Sequence, residues 1–141
     1  MTTPDTVFSP QLAPRPAVAP GSPERFTGDV LVGAVVEGPG EPWAVYEVHF
    51  EAGGRTVWHQ HVGEQVLVGL TGVCVVQFDG RAARALMPGE AIRIPAGVRH
   101  WHGAGSRIAA SHLALNAPGP TTWGTAVAPE AYALAAGVEG A

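Results

Sequence analysis

The chain has 141 residues, of which 46% are hydrophobic and 14% are charged. This length and composition fit one compact domain with its own core and exclude a disordered chain. The formal net charge is −4 and basic residues are not clustered, which argues against nucleic acid as a partner because phosphate binding needs grouped Lys and Arg.

The residue types exclude several further classes of protein. All eight basic residues are Arg, so a lysine Schiff base is excluded. The single cysteine, Cys74, lies in an apolar run, which predicts a buried structural thiol and no intrachain disulfide. We see neither a signal peptide nor an apolar run of about 18 residues, and we therefore expect no membrane span and a cytoplasmic location.

Proline dominates the first two dozen residues. Because proline lacks the N–H that a sheet interior requires, residues 1–24 are predicted to form an extended arm or a disordered tail.

Short β-type runs separated by turn residues follow the arm. The runs cover residues 30–36, 44–50, 56–61, 65–70, 73–78, 82–87, 91–94 and 108–115. Evenly spaced short strands without an internal repeat predict one barrel or sandwich, and Asp79-Gly80 predicts a two-residue hairpin. We assign residues 25–117 to this all-β barrel. Residues 118–141 form a C-terminal extension, in which Pro129 and Gly137 delimit a short predicted helix.

Histidines recur at a spacing of two residues. In a strand, residues two apart share a face, so His59 and His61 direct two imidazoles to one point. His100 and His102 do the same if that segment is extended. A lone strand histidine is usually a hydrogen-bonded core or surface residue, but two such pairs in one small barrel favour a metal site.

Two flanking segments carry a family resemblance. Residues 54–61, followed by Gln65 and Gly72, resemble the first motif of the cupin superfamily. Residues 89–100, in which Gly89 leads to Pro-Ala-Gly and then to His100, resemble the second. The resemblance covers roughly residues 25 to 116. It implies a double-stranded β-barrel of the jelly-roll type with a metal near its mouth, usually in a homodimer.

A narrower pattern is Trp-His-x-His with a Gln in the next ligand position, followed by residues 100–104 and 111–114. It is similar to a subgroup of small bacterial monocupins that includes manganese-dependent hydroxynitrile lyases; related small cupins include zinc-binding aromatic polyketide cyclases. The resemblance implies one divalent metal ion (Mn, Zn, Fe, Ni or Co). Its ligands would be three histidines and one glutamine, namely His59, His61, Gln65 and His100. Val62 and Glu64 stand where that subgroup commonly has Pro and Gly.

The third ligand position has two candidates. Most cupins have a Glu four residues after the second histidine, whereas this chain has Gln65 there and a carboxylate at Glu64. Strand parity favours Gln65, while a turn or bulge at Gly63 would favour Glu64. Three imidazoles and an amide leave the metal its full charge, which favours Lewis-acid chemistry on a carbonyl over oxygen chemistry.

Proton transfer needs a second group, and His102 and His112 are the candidate catalytic residues. Each is alternatively an orienting or surface histidine, and His112 is alternatively a fifth ligand.

Apolar residues are expected to line the pocket, of the kind found at Leu67, Val75, Ile92 and Ile94. Arg55, Arg93 and Arg99 are expected to be exposed rather than substrate-binding, and His49 to be solvated.

These observations predict a metal-dependent lyase or cyclase that acts on a small carbonyl or aromatic compound. A cupin dioxygenase and a non-catalytic ligand-binding cupin are the alternatives, because the fold alone does not decide the chemistry.

Overall fold

The computed structural model describes residues 16–140 of the chain. Most of the predicted N-terminal arm, residues 1–15, lies outside this range. The described part contains thirteen strands: β1 (Val18–Pro20), β2 (Phe26–Thr27), β3 (Val30–Val36), β4 (Ala44–Phe50), β5 (Arg55–Thr56), β6 (His59–His61), β7 (Gln65–Thr71), β8 (Cys74–Phe78), β9 (Arg84–Leu86), β10 (Ala91–Ile94), β11 (His100–Ala104), β12 (Ala110–Asn116) and β13 (Thr121–Trp123). Helix α1 (Pro129–Ala136) and a 3-10 turn (Gly137–Gly140) follow.

The strands form two antiparallel sheets. The first has the order β1-β3-β4-β12-β7-β10. The second has the order β13-β6-β11-β5-β2, with β8 paired to β11 and β9 paired to β8. The expected all-β, double-stranded barrel with a short C-terminal helix is confirmed.

The strand bounds agree closely with the periodicity of the sequence at β3, β4 and β10. The predicted run 56–61 is split into β5 and β6. Asp79-Gly80 does not make a two-residue hairpin, since β8 and β9 begin to pair only at Val76 and Arg84. The turn itself is present, because the Arg81 N–H donates to the Phe78 carbonyl at 3.0 Å.

Segments outside the predicted barrel also contribute strands. β1 pairs with β3, so part of the proline-rich segment lies along the edge of the first sheet. β13 pairs with β6 and sets Thr121 opposite His61 and Trp123 opposite His59. Pairing of this kind is long-range, and the local sequence around residue 121 does not reveal it.

β11 is buried along its whole length because both of its faces are covered. His100 and His102 lie among the other histidines between the sheets, while Trp101 packs against Tyr132 of α1. A Cβ at Gly103 would lie 2.5 Å from the Gly54 carbonyl oxygen, so the close crossing of β11 and β5 requires glycine there.

The C-terminal segment is fastened to the barrel by buried polar contacts. The Tyr132 hydroxyl donates to the Ala104 carbonyl at 2.7 Å, and the Arg55 guanidinium lies 3.9 Å from the Tyr132 ring centroid. The Glu139 carboxylate accepts hydrogen bonds from the backbone N–H groups of Arg107 and Ile108 at 3.1 and 2.9 Å. The Tyr132 hydroxyl and the Glu139 carboxylate thus have hydrogen-bond partners, which offsets the cost of burying them.

The predicted structural role of Cys74 agrees with its surroundings. Its side chain is fully buried, and burial raises the pKa of the thiol to about 12. No helix within residues 16–140 combines the length and apolarity that a membrane span requires.

Leu67 lies at the centre of the core between the sheets and is fully buried. We expect Leu67→Ala to lower the free energy of unfolding by about 2–5 kcal/mol, because it removes buried methyl groups and leaves a cavity. Urea denaturation measures this. Leu134→Ala is the control, since Leu134 is 85% exposed and its truncation should change stability by no more than about 0.5 kcal/mol. Equal losses in both variants would contradict this description of the core.

Candidate metal centre

Three histidines converge because two strands of the second sheet lie side by side. β6 carries His59 and His61, and β11 begins at His100, whose Cα partner is His59. The turn before β11 is tied to β6 by a hydrogen bond from the Gly97 N–H to the His61 carbonyl at 2.8 Å, and Gly97 adopts a φ of 77°. As a result, one ring nitrogen from each histidine lies within 4.8 Å of the other two.

The hydrogen bonds of the imidazoles determine which nitrogen is free. Nδ1 of His59 lies 2.8 Å from the Val57 carbonyl oxygen, and Nδ1 of His100 lies 2.8 Å from that of Val98. A carbonyl only accepts, so both Nδ1 atoms carry the proton and both Nε2 atoms keep a lone pair. Metal-binding histidines are commonly oriented by contacts of this kind.

His61 is held by β13, the strand that flanks β6 on the side opposite β11. Its Nδ1 lies 2.8 Å from the Thr121 hydroxyl, which the C-terminal extension supplies. Its Nε2 is buried and has no hydrogen-bond partner among residues 16–140. A buried polar nitrogen without a partner is unfavourable, and a bound cation would satisfy it.

Gln65 and Glu64 point in opposite directions. Gln65 is buried, and its Oε1 lies 3.1 Å from His100 Nε2, while its Nε2 donates to Asn116 Oδ1 at 2.7 Å. The contact with Asn116 turns the amide oxygen toward the histidines. The Glu64 carboxylate instead accepts two hydrogen bonds from Arg93, at 3.0 and 2.6 Å, on the outside of the barrel.

Burial keeps these imidazoles neutral. Burial, together with the smaller effect of the neighbouring His100, lowers the pKa of His59 to about 2. It also lowers the pKa of His100 to about 4. Burial also lowers the pKa of His61, while the neighbouring Gln65 amide opposes this by favouring the protonated ring. Neutral imidazoles offer lone pairs at physiological pH, so three histidines and an amide oxygen form a donor set that fits a divalent transition metal.

His102 and His112 form a second, fully buried pair behind the first three. His112 Nε2 lies 2.9 Å from His102 Nδ1. Burial lowers the pKa of both rings. The neighbouring His112 lowers the pKa of His102 further, and the pKa of His112 itself falls to about 4. Neither residue belongs to the group whose nitrogens converge within the described part of the chain.

A cavity of about 910 Å³ opens onto the histidines. Its walls include Val32, Val48 and Ala114 from the first sheet, together with the aromatic rings of Phe26, Tyr46 and Trp123. His102 also lines the cavity, whereas His112 does not. The four apolar residues named from the sequence as typical of a barrel interior do not line this cavity. Leu67 and Ile94 are core residues, Ile92 packs against that core, and Val75 packs with Trp101.

Comparison with known proteins identifies the fold family. The profile of the Cupin domain family matches residues 46–114. The chain is 36% identical over 97 residues, 67% of its own length and 73% of the relative's, to an (R)-mandelonitrile lyase from Granulicella tundricola. The chain belongs to the cupin superfamily.

Solved cupin structures agree with the fold described above. A cupin-like protein from Thermotoga maritima is 36% identical, with a TM-score of 0.81, and the match covers 89% of this chain and 97% of that one. A DMSP lyase from Ruegeria pomeroyi has a TM-score of 0.59 over 70% of this chain and 51% of that one. At 23% identity this second likeness shows the fold alone.

Several residues around this cupin site are not apparent from the sequence. Asn116 follows His112 and Ala114 on one face of β12, so extending the predicted strand by one residue would have revealed it. Thr121 and Trp123 lie in the extension, where no periodicity marks a strand. The indole of Trp123 stacks on His59 with a centroid distance of 4.8 Å and an interplanar angle of 28°.

The buried histidines make the cupin fold sensitive to acid. Each has a lower pKa in the folded chain than the usual 6.5 of an unfolded one, so between pH 6.5 and about 4 the unfolded state binds more protons. Stability is therefore complete above pH 6.5 and falls as the pH drops, by about 1.4 kcal/mol per pH unit for each such histidine.

Urea titrations of the metal-free protein from pH 7 to pH 4 measure this slope. We expect His100→Asn to reduce the slope by the contribution of one histidine. Gln60→Ala, on the exposed face of β6, should leave it unchanged. A stability independent of pH in this window would contradict the neutral, buried state of the histidines.

Proposed function

We propose that this cupin is a divalent-metal-dependent lyase that cleaves a cyanohydrin into a carbonyl compound and hydrogen cyanide. The observation that carries the proposal is the direction of two neighbouring side chains. Gln65 directs a neutral amide oxygen toward three neutral imidazoles, and Glu64 is engaged with Arg93 outside. A site without a carboxylate suits Lewis-acid catalysis better than the stabilisation of a higher oxidation state.

His59, His61, His100 and Gln65 would hold the metal. When bound, the metal supplies Lewis acidity toward an oxygen or a cyanide at the inner end of the cavity. The divalent ions of Mn, Zn, Fe, Ni and Co all accept such a donor set, and elemental analysis of the purified protein distinguishes them.

His102 is the proposed proton acceptor. It lines the cavity, and its Nε2 is buried without a hydrogen-bond partner among residues 16–140. Because its ring is neutral near pH 7, this nitrogen is able to take the hydroxyl proton of a cyanohydrin. The bond between the former carbinol carbon and the nitrile carbon then breaks, the carbonyl forms, and the departing cyanide takes the proton back from His102.

His112 acts through His102 in this proposal. The hydrogen bond between His112 Nε2 and His102 Nδ1 orients the His102 ring and selects its tautomer. His112 lies outside the cavity wall, so we assign it a positioning role.

The similarity to the (R)-mandelonitrile lyase supports a cyanohydrin as the substrate. A mandelonitrile lyase acts on an aromatic cyanohydrin, and the aromatic walls of the cavity here suit an aryl ring. A polyketide-type cyclase would use the same Lewis-acid site on a different carbonyl substrate. If the protein were a dioxygenase, its iron-loaded form would consume oxygen. If it were a non-catalytic cupin, it would bind a small molecule without turning it over.

Release of cyanide from racemic mandelonitrile tests the lyase. We expect the metal-loaded protein to exceed the background rate, and His102→Ala to reduce the rate about 10²–10⁴-fold because it removes the proton acceptor. His112→Ala should cause a smaller loss. Gln65→Ala should reduce metal content and rate together.

Glu64→Gln is the control for Gln65→Ala. It changes the neighbouring residue, whose side chain lies on the outside of the barrel. It should retain both metal and rate. A wild-type rate equal to that of His102→Ala and Gln65→Ala would contradict the lyase assignment. Oxygen uptake by the iron-loaded protein would favour the dioxygenase.

We also propose that the chain forms a homodimer in the cytoplasm. The exposed apolar side chains Val18, Leu31 and Val35 on β1 and β3 support self-association. Light scattering coupled to size-exclusion chromatography should give twice the chain mass of 14.5 kDa, and a monomeric mass would contradict the proposal.

A further inference from the structure

We infer that the substrate of this site is an aromatic compound with a carboxylate on its ring, and that Arg25 is the residue that recognises the carboxylate. The inference rests on the proposed function for the reacting end of the substrate. It adds the chemistry of the opposite end.

Arg25 reaches the cavity from the segment just before β2. Its side chain lines the cavity, and its guanidinium carbon lies 5.1 Å from the centroid of the Trp123 ring. The same indole stacks on the candidate ligand His59. Because both groups contact the same indole, the guanidinium carbon lies no more than about 10 Å from the centroid of the His59 ring, a distance that a substituted aryl compound can span.

The backbone of Arg25 is fixed relative to the site. Its N–H donates to the Ser22 carbonyl at 3.1 Å, and its carbonyl accepts from the Val57 N–H at 2.9 Å. Val57 in turn accepts the hydrogen bond of His59 Nδ1. Val57 therefore contacts both the backbone of Arg25 and the ring of the candidate ligand His59. The two groups are preorganised to contact the two ends of a rigid substrate.

The guanidinium of Arg25 is available for a ligand. Among residues 16–140, no carboxylate forms an ion pair with it. The three arginines considered from the sequence do not line the cavity: Arg55 donates to the Gly53 carbonyl, Arg93 pairs with Glu64, and Arg99 pairs with Asp79. Arginine binds carboxylates through a planar fork of donors, so an arginine that lines the cavity and has no ion pair within the described residues suits this group.

Aromatic side chains occupy the space between the two ends. Phe26 and Trp123 lie 6.2 Å apart at 51°, and Tyr46 belongs to the same cavity. The Tyr46 hydroxyl donates to Glu37 Oε2 at 3.1 Å, which keeps the ring in place. Rings arranged in this way suit an aryl group and give a charged but unconjugated chain little to contact.

Two carboxylates in the same cavity oppose an anionic ligand. Glu37 is engaged by the Tyr46 hydroxyl, while Glu24 is exposed next to Arg25. If Arg25 dominates, removal of the Glu24 charge should strengthen the binding of a carboxylate. If the acidic residues dominate, a cationic aromatic ligand should bind better instead.

Isothermal titration of the metal-loaded protein with three aldehydes separates these outcomes. The probes are benzaldehyde, 4-carboxybenzaldehyde and 4-(trimethylammonio)benzaldehyde. We expect the carboxylate to bind about threefold to tenfold more tightly than benzaldehyde, and the gain to shrink as salt is added, since Arg25 is exposed.

Variants assign this preference to Arg25. Arg25→Gln should abolish the preference, Arg25→Lys should keep part of it, and Glu24→Gln should increase it. Arg84→Gln, an exposed arginine on β9, should leave it unchanged.

Equal binding of all three aldehydes, a preference for the cationic one, or a carboxylate preference that survives Arg25→Gln would overturn the inference. The binding preference does not depend on turnover. Absence of cyanide release with the preference intact would therefore count against the lyase alone, and cyanide release without the preference would count against the role of Arg25 alone.

Discussion

Two hydrogen bonds from histidine side chains to backbone carbonyls organise the candidate metal site. The carbonyls of Val57 and Val98 accept from the Nδ1 atoms of His59 and His100, which leaves both Nε2 atoms free at the same point. These carbonyls lie two residues before the histidines they hold, so the chain that enters each strand also orients its ligand. Burial then keeps the rings neutral. The donor set, its lack of charge and the inward amide of Gln65 all depend on this arrangement.

The C-terminal extension completes the centre as well as covering the barrel. Thr121 holds His61, and Trp123 stacks on His59, because β13 pairs with β6. Further along, the Tyr132 hydroxyl and the Glu139 carboxylate fasten α1 and the 3-10 turn to the end of β11 and to the segment that follows it. The orientation of the candidate ligands thus depends on residues that follow the cupin motifs by about twenty positions in this chain.

The sequence predicts those parts of the structure that local periodicity controls. A period of two residues identifies β3, β4 and β10 and places His59 and His61 on one face of β6. The sequence correctly favours Gln65 over Glu64, but Gln65 reaches the histidines from β7 of the other sheet, after a break in the strand at residues 62–64. The periodicity does not identify Thr121 or Arg25, since these reach the site through pairing between distant segments, and it misses Asn116 because the predicted strand ends one residue too early. It also does not decide whether Leu67 lies in the core or in the cavity, because in a closed barrel an inward side chain belongs to one or the other according to its position along the strand.

The central claim is that a neutral amide, and no carboxylate, completes the metal site. Anomalous diffraction from crystals of the metal-loaded protein tests it most directly. The account predicts one metal peak, bound by His59, His61, His100 and the Gln65 amide oxygen, with Glu64 still paired to Arg93. A carboxylate of Glu64 on the metal, or a peak located away from these histidines, would contradict it.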